Sequence, residues 1–184
     1  MNKNLKKQFI NVLLQTLPVI FGIFLALYVN QNEQIKKDRS YVNSLLQKSQ
    51  EQIVQDSTQL SADIKAHLEL SKLFSEHLTN PEMSVLEIIQ QNGGLNITPN
   101  SENYLNMFVN SKIEHLQISK SSQAFEILEL LKGKERYEEL IQQTIYEEIN
   151  SNSEKVKMKL MMIMNDYGQL EKRLLNSQIK FLNP

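Results

Sequence analysis

The stretch Gln8 to Asn32, QFINVLLQTLPVIFGIFLALYVNQN, contains no Asp, Glu, Lys, Arg or His, and its centre, Leu17 to Val29, is almost wholly apolar. A helix of about 20 apolar residues crosses the roughly 30 Å hydrocarbon core of a bilayer, so a transmembrane helix is expected over 9–30. Lys3, Lys6 and Lys7 stand before the run and Lys36, Lys37 and Arg39 after it, in position to meet headgroups at the two membrane surfaces. A cleaved signal peptide would need a shorter run and small residues at its end, whereas this one leads into Tyr28, Val29, Asn30, Gln31 and Asn32. A buried core helix agrees with Asn11, Gln15 and Thr16, but no other segment is apolar enough all round to enclose it.

Working outward, residues 1–8 form a basic tail and 31–184 a domain outside the bilayer. The chain has 184 residues, with five Gly, four Pro and abundant Gln, Glu, Lys, Leu and Ile, a composition that favours helix over sheet. It has no Cys, which excludes disulfides, thiolate catalysis and zinc-thiolate sites. Charge is divided unevenly: residues 1–50 carry seven Lys and Arg against two acids, and 51–184 carry 13 against 19. The basic groups near the run and in the last third suit anionic lipid, the acidic remainder does not suit nucleic acid, and a lipid bilayer is the expected partner. Three Lys beside the free amino group, against three basic residues diluted by Glu33 and Asp38, favour an amino terminus in the cytoplasm and the large domain outside it.

Beyond the run, apolar residues recur at Ile35, Val42, Leu45, Leu46, Ile53, Leu60, Ile64, Leu68, Phe74 and Leu78. Steps of three, four and seven mark an amphipathic helix, and with no Gly or Pro before Asn80-Pro81 one long helix is expected over 31–79. Ser84-Val-Leu-Glu87 is a capping-box pattern opening a short helix that Asn92-Gly93-Gly94 closes after Gln91. Leu95 to Pro99 reads as a loop or short extended piece, and further short helices are expected over Ser101 to Val109 and Ser121 to Leu131, the last stopping near Gly133. A second stripe, Tyr137, Ile141, Ile145, Ile149, Val156, Leu160, Ile163, Tyr167, Leu170, Leu174 and Phe181, keeps its phase through Asn150-Ser151-Asn152-Ser153. It predicts one long helix over 134–182. The fold class is therefore all-α: two long helices paired antiparallel as an elongated hairpin or bundle, with short helices over 84–131 between them. The period drifts from strict heptads, which favours a bundle over a pure two-stranded coiled coil.

At about 100° per residue, Asn11, Gln15, Pro18, Gly22 and Ala26 gather on one side of the apolar helix. Small residues let helix backbones approach and amides can bond across an interface in lipid, so this stripe is the candidate contact with a second copy or another membrane protein. No other constellation carries chemistry. His67 and His77 are ten residues apart, far from the three or four that a ligand pair on one helix needs, and His115 lies in a different segment. They read as surface or boundary residues, and Glu138-Glu139 and Glu147-Glu148 as a solvated helix face. No phosphate loop, nucleophile elbow or triad is present, and neither enzymatic activity nor a cofactor is expected. Lys157 to Met164, KMKLMMIM, resembles a soft binding surface, but Leu160 and Ile163 hold the core phase, so Met158, Met161, Met162 and Met164 are expected to flank a packed seam.

The string from Gly22 to Asn30, followed by Asn32-Glu33, Lys36-Lys37 and then Tyr41, Leu45 and Leu46, resembles the start of a large family of uncharacterised bacterial single-pass membrane proteins. Tyr104-Leu105 with Ser111-Lys-Ile-Glu-His-Leu116 is a fainter echo of the same proteins. Where that family has an acid seven residues before the glycine this chain has Gln15, and it lacks the family's Trp at the exit. The resemblance implies topology rather than activity: a bacterial inner-membrane anchor with a periplasmic helical domain. The expected role is a non-enzymatic subunit or scaffold, and the rival is an extracytoplasmic sensory or small-ligand-binding module, since bundles can hold small molecules between helices.

Overall fold

The computed structural model describes residues 3–98, 102–111 and 118–183, with side chains from Gln15 onward and, at the start of the fourth helix, from Ser119. The described residues form helices and no strand: α1 (Lys3–Glu76), α2 (Val85–Gln91), α3 (Asn103–Val109), α4 (Ile118–Glu148) and α5 (Glu154–Leu182). The chain divides into two compact units, Met1–Asn43 and Ser44–Pro184, and α1 contributes to both.

The first unit is the early part of α1, with Pro18 inside the helix. An interior proline removes one backbone hydrogen bond and costs about 3 kcal/mol in water. Among the described residues no helix is long and apolar enough to cross a membrane. The run expected to span, 9–30, extends past the first described side chain at Gln15, and the apolar residues Ile10, Val12, Leu13 and Leu14 lie before that point.

The second unit is a bundle of three long helices rather than the expected two. α5 runs antiparallel to α1, because His67 meets Glu171 and Ser71 Oγ donates to the Met161 carbonyl. It is also antiparallel to α4, since Lys120 reaches the Phe181 carbonyl and Tyr167 reaches Glu138. The single helix expected over 134–182 is broken at 150–153, and the helix expected to stop near Gly133 continues through it to Glu148. The break has a tertiary cause. The Ile149 and Ser151 carbonyls accept from Leu86 and Val85 N–H at 2.8 and 3.1 Å, and Asn152 Nδ2 donates to the Pro81 carbonyl at 2.7 Å. The α4–α5 turn thus closes on the start of α2. Asn and Ser, which compete with helix by bonding nearby backbone, make the turn inexpensive.

α2 opens on the capping box: Glu87 N–H donates to Ser84 Oγ, and Ser84 N–H donates back to Glu87. It closes where Gly93 and Gly94 take φ of 84° and 107°, conformations that cost glycine nothing. Its apolar face, Val85, Ile88 and Ile89, fills one end of the core against Leu70, Phe74, Ile141, Leu160 and Tyr167. At the other end α3 packs on α4, and Phe108 meets the Phe181 ring edge-on at 6.3 Å.

α1 and α5 pack tightly at Gly168, where a Cβ would lie 2.8 Å from Leu68 Cδ2. Gly168→Val is expected to force these helices apart and lower stability by about 2 kcal/mol, through overpacking and a β-branched residue in a helix. Urea denaturation checks it; a midpoint equal to the parent's would show that Leu68 moves aside freely.

Candidate functional site

Buried charge on α1, α4 and α5 converges in the middle of the bundle. His67 and Glu171 are 1 % and 0 % exposed, with His67 Nδ1 2.7 Å from Glu171 Oε2. His67 Nε2 lies 2.6 Å from the Asn96 carbonyl oxygen. A carbonyl only accepts, so Nε2 carries a hydrogen, and a second hydrogen on Nδ1 makes the contact with Glu171 an imidazolium–carboxylate pair. Burial alone would push the imidazole down. The hydrogen bond and charge of Glu171, the Asn96 carbonyl and the charge of Asp63 outweigh it and hold His67 above its ordinary 6.5.

The Tyr167 ring lies 4.9 Å from the His67 ring, and its hydroxyl donates to Glu138 Oε1 at 2.8 Å. Burial first, then the charges of Glu171 and Glu138, raise the phenol far above its ordinary value, so it stays neutral. Glu138 also accepts from Lys134, a lysine 2 % exposed whose Nζ donates to the Thr98 carbonyl at 2.9 Å. The second oxygen of Glu171, Oε1, has no hydrogen-bond partner among the described residues.

Two buried cations, His67 and Lys134, therefore grip the Asn96 and Thr98 carbonyls and tie the segment after α2 to the bundle. His67, Tyr167 and Glu171 are closed to solvent, and hence to any substrate. This arrangement can fix a connection and store charge; it presents no reacting atom to an incoming molecule. Among the described residues no group of three or more His, Asp or Glu could hold a metal ion.

The seam corrects two readings of the sequence. His67 is in the core, not at the surface or its boundary, and Glu138 is a member of a buried network, not of a solvated face. His77 is partly buried and His115 lies outside the described residues. The methionines divide: Met164 is fully buried and Met161 packs on the core, but Met158 and Met162 are exposed. With Tyr137, Leu140 and Ile163 they line an open groove of about 470 Å³ between α4 and α5.

Of the expected membrane contacts, Lys3, Lys6, Lys7 and Asn11 lie outside the described side chains. Gln15, Pro18, Gly22 and Ala26 are exposed on α1, as are Lys36, Lys37 and Arg39, and beyond the local helix backbone and the adjacent residues nothing lies within 4 Å of where a Gly22 Cβ would stand. Between Leu17 and Val29 every large apolar side chain is at least half exposed, from 50 % at Val29 to 68 % at Phe24 and Tyr28. Sequence reasoning missed the seam because its members are far apart in the chain, although each charged member sits in the phase of an apolar stripe. No protein-family model matches the chain, and no curated protein or solved structure is significantly similar to it.

Proposed function

We propose that this protein is a non-enzymatic, single-pass membrane subunit or scaffold, anchored by 9–30 in a bacterial inner membrane, with its amino terminus in the cytoplasm and its helical domain in the periplasm. The observation that carries the reading is the exposure of the whole Leu17–Val29 run on every side of α1. Contiguous apolar surface of that extent is rare on a soluble monomer. A single partner helix would cover one stripe, whereas lipid covers all of them. A helix bonds its own backbone, which lipid requires, and tolerates an interior proline there better than in water. The resemblance of Gly22 to Asn30 and the residues after it to bacterial single-pass proteins supports the same topology.

Within this reading Asn11, Gln15, Pro18, Gly22 and Ala26 form the contact with a second copy or another membrane protein. The test is alkaline carbonate extraction of bacterial membranes containing the tagged full-length chain. Retention in the pellet is expected; release into the supernatant would overturn the anchor. Gly22→Ile is then expected to reduce assembly size in mild detergent, and an unchanged size would remove the contact but not the anchor. The rival reading, an extracytoplasmic ligand-binding module, draws on the open groove between α4 and α5.

A further inference from the structure

We infer that the groove between α4 and α5 binds a single-chain amphiphile with an anionic head, a long-chain carboxylate. The groove lies wholly within Ser44–Pro184, so the inference goes beyond the anchoring proposal and does not depend on it.

Its walls come from Tyr137 and Leu140 on α4 and from Met158, Met162 and Ile163 on α5. Leu140, Met158 and Met162 are 39 %, 41 % and 57 % exposed, three large apolar side chains of this groove left open to water. Unbranched thioethers repack around a flexible chain at little cost. The groove holds about 470 Å³, within the range of about 300–1,000 Å³ typical of small-ligand sites, and suits one acyl chain rather than the two of a bilayer phospholipid.

Charge selects the head. Lys155 and Lys159 lie one turn apart on α5, interleaved with Met158 and Met162, and line the same groove. Both are exposed, and neither makes an ion pair or hydrogen bond among the described residues. Asp166, the acid lining this groove, stands seven residues beyond Lys159, about 10 Å along the helix. It repels an anion from that end. The site is therefore polar in one sense only: two free ammonium groups at the start of α5, then apolar wall. A carboxylate accepts from both lysines while its chain lies over Met158 and Met162.

The test uses the full-length chain in phosphatidylcholine nanodiscs, labelled with a palmitic acid analogue carrying a mid-chain diazirine and mapped by peptide mass spectrometry. Label is expected within 137–140 and 158–163, and unlabelled palmitate should displace it. Lys155→Glu with Lys159→Glu should weaken that labelling about tenfold, by removing two exposed ion pairs and substituting repulsion. Both side chains are solvated, so the melting temperature should stay at the parent's value. Label confined to 9–30, equal labelling by a diazirine-bearing long-chain amine, or insensitivity to the charge reversal would each overturn the inference. Absence of label at both segments would also overturn it and leave the groove to a helix of another protein. If carbonate releases the chain from membranes, the same labelling in buffer still decides the groove, so the two proposals fail separately.

Discussion

Glu171→Ala is expected to destabilise the bundle by about 3–5 kcal/mol, because buried His67 loses the carboxylate that pairs with it and must either keep an unpaired charge or give up its proton. Glu171→Gln should cost far less, roughly 1 kcal/mol. Its amide can donate to Nδ1 of a neutral His67 while Nε2–H still donates to the Asn96 carbonyl, so both ring nitrogens keep a partner. The two variants also differ in pH dependence. In the parent His67 is raised above 6.5, so its contribution is complete below that pH and is lost as pH rises through the folded value. Tyr167, raised as well, adds a loss of the same sign in the alkaline range. In Glu171→Ala burial dominates and depresses His67, so stability should instead fall as pH drops below about 6.5. In Glu171→Gln the slope near neutrality should flatten. Urea midpoints from about pH 6 to 9 measure all three; an alanine variant that keeps the parent's slope would show that Glu171 does not set the charge of His67.

Local chemistry was legible in the sequence, and long-range chemistry was not. α2 follows from four residues, Ser84 to Glu87, and a glycine pair. The first stripe marks the buried face of α1 at Leu45, Ile53, Leu60, Ile64 and Phe74. The turn at 150–153 escaped because Ile149 and Val156 are seven apart, a spacing that one straight helix or two helices facing a common core satisfy equally. What decides between them is a pair of hydrogen bonds to Val85 and Leu86, more than sixty residues away in the chain. Gly133 misled in the opposite sense: a Cβ there would meet only the two Leu170 methyls, at 3.4 and 3.7 Å, and packing of α4 on α5 carries the helix past the glycine. The buried seam had one signal. His67 follows Ile64 by three, Glu171 lies four after Tyr167 and three before Leu174, and Lys134 lies seven before Ile141. A charged residue in the phase of a stripe is either an error of register or a paired core group, and only the partner, 104 residues distant for His67, tells which.

Lys157 obeys the same rule and carries the second large expected effect. It precedes Leu160 by three, is fully buried, and its Nζ donates to the His77 carbonyl at 3.1 Å and to that of Asn80. Both carbonyls lie just past the end of α1, where partial negative charge gathers, and that of His77 also accepts from Asn80 N–H at 3.2 Å. Lys157→Met retains most of the buried stem and deletes the ammonium, so its cost isolates the cap: about 3 kcal/mol, from two charge-assisted bonds. Lys159→Met, two residues on but solvated, should change stability by no more than about 0.5 kcal/mol. The loss should also be local. Pro81 accepts from Asn152, and Val85 and Leu86 donate to the α4–α5 turn, so loosening 77–82 should speed hydrogen exchange at the Val85 and Leu86 amides before those of Leu60 or Leu174. Uniform exchange across all four would mean that Lys157 supports the whole bundle rather than this end, and a variant as stable as the parent would show that water caps α1 equally well.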